Sequence, residues 1–370
     1  MRQNWEVMTY RTILILACAP LFGQQYTIST IAGGGTAGVT LNNPISTAVD
    51  SAGNVYVGDW SGLIRKVWAG NPAVTIIAGT GLRGYSGDGG QATSAMPGRI
   101  SGIALDGAEN VYITDVDNNR IRRIDATTEI IETVAGPNAV TLPSALAVDG
   151  GGNVYFSSSW SHIQKIIAGT GTIETIAGQI VTGFGGDGRL ALSAIFWDPV
   201  PSAVGSNGNV YIADYENSRI RMIAADTGIV NTVAGSGACS PAPAPYAGGT
   251  ICPGGFGGDR GPAVNATLNY ASSVAVDNQG NLYIADTLNH RIRKVAASTG
   301  IISTIAGNGI NGFAGDGGLA LFAEIGTPTG ISVDESGKVC LADENNNRIR
   351  MLTPVMPRGY QVDQAPRRAR

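Results

Sequence analysis

Short runs of consecutive apolar residues, separated by polar turns, recur along most of the chain. Residues 282–285 (LYIA) and 291–295 (RIRKV) show the pattern, since two runs of strand length flank the polar turn 286–289. Short apolar runs bounded by turn residues are typical of β-strands. An apolar stretch before them, 274–276, and the phrase ISTIAG after them, 302–307, complete a unit of four predicted strands.

This unit occurs six times. Copies of its second strand begin at Asn54, Asn110, Asn153, Asn209, Asn281 and Lys338. Their spacing is mostly about 56 residues, with one interval of 43 and one of 72. Six four-stranded units of this length describe a propeller. The sequence therefore predicts an all-β fold, a six-bladed β-propeller of four-stranded antiparallel blades whose strands are apolar on both faces.

The two ends of the chain complete one blade. The sixth unit has only three strands, and a strand of the missing type, 26–33, lies near the N terminus. We therefore expect a ring closed by the N-terminal strand joining the last blade, which removes a free sheet edge. The predicted domains are a signal peptide, 1–25, the propeller, 26–354, and a C-terminal tail, 355–370.

The first residues have the features of an export signal. Arg11 precedes the apolar run 12–22, and the small residue Gly23 follows it. The run is too short to span a membrane as a helix. The start could be Met1 or Met8, and a lipoprotein signal at Cys18 is the alternative. We expect a protein that is secreted, periplasmic or at the cell surface, with no transmembrane segment.

Composition and net charge limit the fold class and the kinds of partner that the protein can bind. Of 370 residues, 43% are hydrophobic, which excludes a disordered chain. The 53 glycines and only 14% charged residues suit many strands joined by tight turns. A net charge of −4 argues against nucleic acid or anionic lipid, because both need a basic surface. We expect a monomer that binds protein, peptide or glycan.

The repeats resemble NHL repeats, especially those of the bacterial exported type, and Asn289-His290-Arg291 stands where that family has its characteristic tripeptide. The resemblance covers residues 26–354. It implies a propeller fold but not a function, because such propellers and their relatives bind proteins, RNA or sugars, and a few related ones are enzymes.

The repeated hairpin phrase is best explained as part of the blade. Asp286 and Asn289 are expected to fix the turn through hydrogen bonds, and the arginines to pair with carboxylates, because a ligand site rarely needs six equivalent copies. Two blades depart from the phrase with shorter turns that carry a tryptophan. These residues, Trp60 and Trp160, are predicted rim contacts for a partner.

Four connections between blades carry a glycine-rich motif with one aspartate, namely Asp88, Asp187, Asp259 and Asp316. We expect each aspartate to cap a short helical turn and thereby fold its loop. The alternative is that these aspartates bind calcium. No other cofactor is expected. In an antiparallel blade, these loops and the hairpin turns lie on one face of the ring.

The loops that lead into the first strands differ between blades, so a ligand-binding site is expected there rather than in the repeated parts of the blades. The candidate ligand residues at this central funnel are Asn43, Arg99, Trp197, Asp198 and Tyr270. They combine a cation, a carboxylate, an amide and two aromatic rings, as expected for a sugar or polar peptide. No catalytic residue and no metal ligand is assigned. The two histidines, His162 and His290, do not make a zinc centre.

The predicted function is therefore an exported, non-catalytic binding or scaffold module for protein, peptide or glycan ligands. The alternative is a calcium-dependent, lactonase-like or lyase-like propeller enzyme with its site at the funnel. Cys239 and Cys252 lie in the long proline-rich insertion 236–254 and are predicted to form a disulfide. Cys340 replaces a strand tyrosine and is predicted to be buried and unpaired.

Overall fold

The structure is a computed structural model that describes residues 24–35, 39–71, 73–237, 240–241, 250–252 and 254–355. All but the last two residues of the predicted signal peptide, and all but the first residue of the predicted tail, lie outside these ranges. Cys239 also lies outside them, so its pairing with Cys252 stays a prediction. Cys340 is free and fully buried, as the sequence predicts.

Six antiparallel four-stranded sheets form the blades, and the all-β six-bladed propeller is confirmed. We name the strands of each blade a to d from the central axis outward. In blade 1 these strands are Pro44–Val49, Val55–Asp59, Ile64–Val67 and Val74–Ala78. In blade 2 they are Ile100–Leu105, Val111–Asp115, Arg120–Ile124 and Ile130–Ala135. In blade 3 they are Leu146–Val148, Val154–Ser158, His162–Ile166 and Ile173–Ala177.

Blades 4 and 5 follow the same order. The strands of blade 4 are Pro199–Val204, Val210–Asp214, Arg219–Ile223 and Ile229–Ala234. Those of blade 5 are Ala271–Val276, Leu282–Asp286, Arg291–Val295 and Ile302–Ala306. Short outer strands, Gly90–Gln91 and Arg189–Leu190, extend blades 2 and 4, and Ser240–Pro241 pairs with Thr250–Ile251 in the long insertion.

Blade 6 takes strands from both ends of the chain. Its strands a to c are Pro328–Val333, Val339–Asp343 and Arg348–Pro354, and Tyr26–Gly33 is its outer strand d. Strand d pairs antiparallel with strand c from Tyr26↔Pro354 to Gly33↔Arg348. The first strand in sequence and the last strand in sequence therefore lie side by side in one sheet.

The hydrophobic core is divided among the interfaces between blades. Each of six buried clusters combines side chains of two neighbouring blades, and the six clusters account for all six interfaces, including the one between blades 6 and 1. Both faces of a blade are thus buried, which explains why its strands are continuously apolar.

Eight single-turn 3-10 helices complete the described elements. Four lie in the b–c turns of blades 2, 4, 5 and 6, namely Val116–Asn118, Tyr215–Asn217, Thr287–Asn289 and Glu344–Asn346. Four lie in the glycine-rich loops, namely Ala92–Ser94, Ala191–Ser193, Ala263–Asn265 and Ala320–Phe322. The expected capping of the second group by the loop aspartates is wrong, because no side chain caps any of these four turns.

Candidate functional site

The repeated aspartates and arginines build the blades. Four strand-c arginines are fully buried, and each contacts the last residue of strand b and the aspartate of the preceding glycine-rich loop. Arg293, for example, lies 3.1 Å from Asp286 and 2.8 Å from Asp259. The equivalent sets are Arg122 with Asp115 and Asp88, Arg221 with Asp214 and Asp187, and Arg350 with Asp343 and Asp316.

Each loop aspartate therefore fastens its loop to the blade that follows it. Its second oxygen accepts a hydrogen bond from a strand-d threonine of the same blade, as in the 2.7 Å contact between Thr304 and Asp259. Thr133, Thr232 and Thr30 make the equivalent contacts. These carboxylates are engaged by arginine and threonine, which supports a loop-folding role rather than the calcium alternative.

The hairpin turns and the glycine-rich loops lie on one face of the ring, as the topology predicts. Asn289 donates from Nδ2 to the carbonyl oxygen of Gly255 at 2.7 Å and to Asp286 at 2.9 Å. Asn118, Asn217 and Asn346 donate in the same way to Gly84, Gly183 and Gly312. The structure thus supports the structural interpretation of Asp286 and Asn289.

A central channel of about 390 Å³ opens among the six strands a. Its wall is formed by strand-a residues or their immediate neighbours from all six blades, and serines and threonines such as Ser46, Ser202 and Thr329 are frequent there. Three larger side chains from b–c turns also line it: Trp60, Tyr215 and Glu344. The cavity is therefore a polar shaft with aromatic and acidic groups contributed by the turns.

The structure brings some of the predicted funnel residues together. Asp198 lines the channel. Tyr270 packs edge-to-face against Tyr215, with ring centroids 5.1 Å apart. Asp198, Tyr270 and Asn43 all have a left-handed backbone, with φ near 50°, which turns the chain into strand a.

The other candidates lie further out. Arg99 donates from Nε to Asp117 at 2.7 Å and lies 5.9 Å from the ring centroid of Trp60. Trp197 is half-buried and is not among the channel-lining residues. Of the two predicted rim tryptophans, Trp60 lines the channel and Trp160 is 54% exposed. The roles of these residues in binding stay predictions.

Three carboxylates of blades 4 and 6, Asp198, Glu216 and Glu344, have raised pKa values. Burial, and then the nearby charges of Glu216 and Asp214, raise the pKa of Asp198 to about 6. Burial also raises the pKa of Glu216 and of Glu344. The pKa of Tyr215 is raised to about 12, by burial and then by Glu216 and Asp198. Asp198 and Glu216 thus form a partly desolvated pair of carboxylates that favours a positive charge, and Glu344 lines the same channel as Asp198.

Sequence reasoning missed Tyr215, Glu216 and Glu344. The signal was available, since Trp60, Tyr215 and Glu344 each directly follow the repeated aspartate that ends strand b. That position varies among the blades, and in these three blades its side chain lines the channel. In the described part of the chain, no three histidine, cysteine, aspartate or glutamate side chains are placed to hold a metal ion. No helix there is long and apolar enough to cross a membrane.

Comparison with known proteins finds NHL repeats at residues 196–221, 268–295 and 326–351. The chain is 26% identical over 304 residues to the chloroplastic protein SUPPRESSOR OF QUENCHING 1 of Arabidopsis thaliana, covering 75% of this chain and 27% of that protein. It is 27% identical over 305 residues to NHL repeat-containing protein 2 of Bos taurus, covering 69% and 40%. The chain thus spans less than half the length of these relatives.

Solved structures share the fold at low identity. An auxiliary nutrient binding protein from Bacteroides thetaiotaomicron superposes with a TM-score of 0.63 at 15% identity, covering 90% of this chain and 77% of that one. A gluconolactonase from Xanthomonas campestris superposes with a TM-score of 0.53 at 12% identity, covering 89% and 90%. The repeats and the architecture agree: this chain is a six-bladed β-propeller that carries NHL repeats.

Proposed function

We propose that this propeller is an exported, non-catalytic binding module whose central channel takes a polar ligand with a positive charge, such as the free amino terminus of a peptide. The observation that carries the proposal is the pair of partly buried carboxylates Asp198 and Glu216, together with Glu344, which lines the same channel as Asp198. Tyr270 donates a hydrogen bond to Glu216, but within the described part of the chain no positive charge acts on Asp198 or Glu216, and a ligand cation would offset the cost of their partial burial.

Aromatic rings complete the proposed site. Trp60 and Tyr215 line the same cavity, and Tyr270 packs against Tyr215. The faces of such rings attract cations, most strongly where water is excluded. A channel of about 390 Å³ is within the range of small-ligand sites. An ammonium group could therefore sit between carboxylates and aromatic faces while the serine-rich shaft takes hydrogen bonds from the rest of the ligand.

Binding through these carboxylates should depend on pH. Asp198 has a pKa of about 6 without ligand, so it is largely protonated at pH 5 and largely ionised at pH 7. A cation binds the ionised form, and affinity should rise with pH across this interval and then level off. The measurement is titration calorimetry with short peptides that have a free amino terminus, compared with their N-acetylated forms.

Two variants sharpen this measurement. Asp198→Asn should weaken binding at least about tenfold and flatten the pH dependence. Asp226→Asn removes the same charge from an exposed turn of the same blade, on the opposite face of the ring. This control variant should leave the affinity and its pH dependence unchanged. Equal affinity for acetylated and free peptides, or an unchanged pH profile in Asp198→Asn, would refute a cationic ligand at this site.

One observation favours an enzyme as the second candidate. Asp198, with its raised pKa, lies near Glu216, and paired carboxylates in different protonation states can act as acid and base. The similarity in fold to a gluconolactonase fits this alternative without showing it. Hydrolysis of lactones, measured with added calcium and with a chelator, distinguishes the two candidates, because only an enzyme turns substrate over.

Export and the disulfide belong to the same proposal. The predicted signal peptide would deliver the chain to an oxidising compartment, where a disulfide between Cys239 and Cys252 can persist. Cys252 is buried near the end of the long insertion between blades 4 and 5. A covalent link there would join the two ends of the proline-rich segment between these cysteines.

A further inference from the structure

A second cavity lies on the face opposite the channel mouth, between blades 6 and 1. It has a volume of about 690 Å³, larger than the central channel. We call it the closure groove. Its walls are residues 29–31 of the N-terminal strand, the a–b and c–d turns of blade 1 (51–53 and 68–71), and the a–b turn of blade 6 (334–338).

The closure groove exists where a repeated tyrosine is missing. In the other five blades, a strand-b tyrosine packs against the next blade, and these residues are Tyr56, Tyr112, Tyr155, Tyr211 and Tyr283. Blade 6 has the smaller Cys340 at this position, packed against blade 1. Where Tyr56 is retained, the groove between blades 1 and 2 is only about 430 Å³.

Two replacements in blade 6, Lys338 for the asparagine and Cys340 for the tyrosine, together free a carboxylate oxygen. In four blades, one oxygen of the a–b turn aspartate accepts hydrogen bonds from an asparagine amide and from the tyrosine hydroxyl, as Asp50 does from Asn54 and Tyr56. In blade 6, Asp334 Oδ1 accepts hydrogen bonds from the backbone N–H groups of Ser336 and Lys338. Its Oδ2 accepts no hydrogen bond from the described residues, so an acceptor is left at the wall of the groove.

The remaining lining is amphipathic. Aliphatic side chains form its apolar part, namely Ile31, Val55, Val67 and Met351. Trp68 is 41% exposed and lines both this groove and its smaller neighbour. The ammonium of Lys66, 4.5 Å from the Trp68 ring centroid, lines only the smaller groove. Asp334, Lys338 and Asn71 supply polar groups of both signs around the apolar surface.

We propose that the closure groove is a binding site for a neutral pyranose unit of a saccharide. A sugar ring has an apolar face that can lie on Trp68, and its hydroxyls can donate to Asp334 and accept from Lys338 and Asn71. A wholly apolar ligand would cover these polar groups without pairing them, which is unfavourable. The site is independent of the proposed cation site, which lies on the other face.

The test uses the full chain and a panel of neutral pyranoses and their disaccharides, including glucose, galactose, mannose and N-acetylglucosamine. Titration calorimetry and saturation-transfer NMR would measure binding. We expect at least one sugar to bind, and Cys340→Tyr, which restores the missing side chain, to weaken its binding at least about tenfold. Trp68→Ala and Asp334→Asn should each weaken it as well, with unfolding curves showing that the variants are folded.

Ile76→Ala is the matched control, because Ile76 is exposed beside Trp68 but lines the smaller groove. It should leave sugar affinity unchanged. The proposal is overturned if no sugar of the panel binds, or if Trp68→Ala and Asp334→Asn bind as well as the natural chain. Loss of sugar binding in Asp198→Asn would also overturn it, since that result would place the sugar in the central channel.

Discussion

Deleting residues 24–34, which removes the outer strand of blade 6, is expected to abolish the stable fold. The strand buries Tyr26 and Ile28 almost completely against blades 5 and 6, and Ala32 against blade 1. Burying each large side chain contributes about 1.5–3 kcal/mol. With the lost strand pairing, the total approaches the 5–15 kcal/mol by which whole domains are stable. The deletion would also expose the edge of Arg348–Pro354 for aggregation.

The reference for this deletion is a chain that begins at Gln24, so that only the strand distinguishes the two proteins. Thermal and guanidinium unfolding, followed by tryptophan fluorescence, should show a cooperative transition for the reference and a weak or absent one for the deletion. A synthetic peptide of residues 24–35 should restore part of the transition when added. A deletion protein with the melting temperature of the reference would show that the pairing contributes little.

The fold could be predicted because each blade is specified locally. The phrase around Tyr283 and Asp286 occurs with small changes in every blade, so strand order and the shared face of the turns follow from one repeat. The glycine-rich loops were less predictable. Asp88 caps no turn because Gly87, with φ +93°, directs the chain so that the carboxylate reaches Arg122 of the next blade. No spacing in the sequence indicates that contact.

The sites could be predicted only in part, for two different reasons. Asp198 was found because it departs from its equivalents in the loops that lead into strand a. Tyr215 and Glu344 were missed because they stand inside the repeated turn, where variation looks like a tolerated surface change. The closure groove was not predicted because it arises from a side chain that blade 6 lacks, the tyrosine found at this position in the other blades. Cys340 is visible in the sequence, but the opening that it leaves also depends on neighbours such as Met351, its partner on the adjacent strand.

Replacing one buried arginine should have the largest effect of any single substitution in a blade. Arg293→Gln removes the partner of Asp286, a carboxylate that is itself fully buried. Removing one member of a buried ion pair destabilises a protein by about 3–5 kcal/mol, because the other charge is left uncompensated. Burial already raises the pKa of Asp286 while the arginine is present.

The pH dependence of this variant has a definite sign. Without Arg293, the folded state holds a proton on Asp286 up to a higher pH than the unfolded state does, so folding takes up a proton. Stability relative to the natural chain should therefore improve as the pH falls toward the ordinary pKa of an aspartate. If the deficit of Arg293→Gln stays the same or grows in acid, the buried charge of Asp286 is not its cause.

Blade 3 supplies the matched control, since it carries Ser158 and Gln164 where blade 5 has Asp286 and Arg293. Asp286→Ser with Arg293→Gln should be more stable than Arg293→Gln alone, because no buried charge remains. Recovery should be partial, since Asp286 also accepts hydrogen bonds from Asn289 and from the backbone N–H of Asn269. Guanidinium denaturation of the two single variants and the double variant gives the coupling energy directly. If the destabilisation of the double variant equals the sum of the two singles, the residues do not act as a pair, and the repeated aspartate and arginine must be explained by their separate hydrogen bonds.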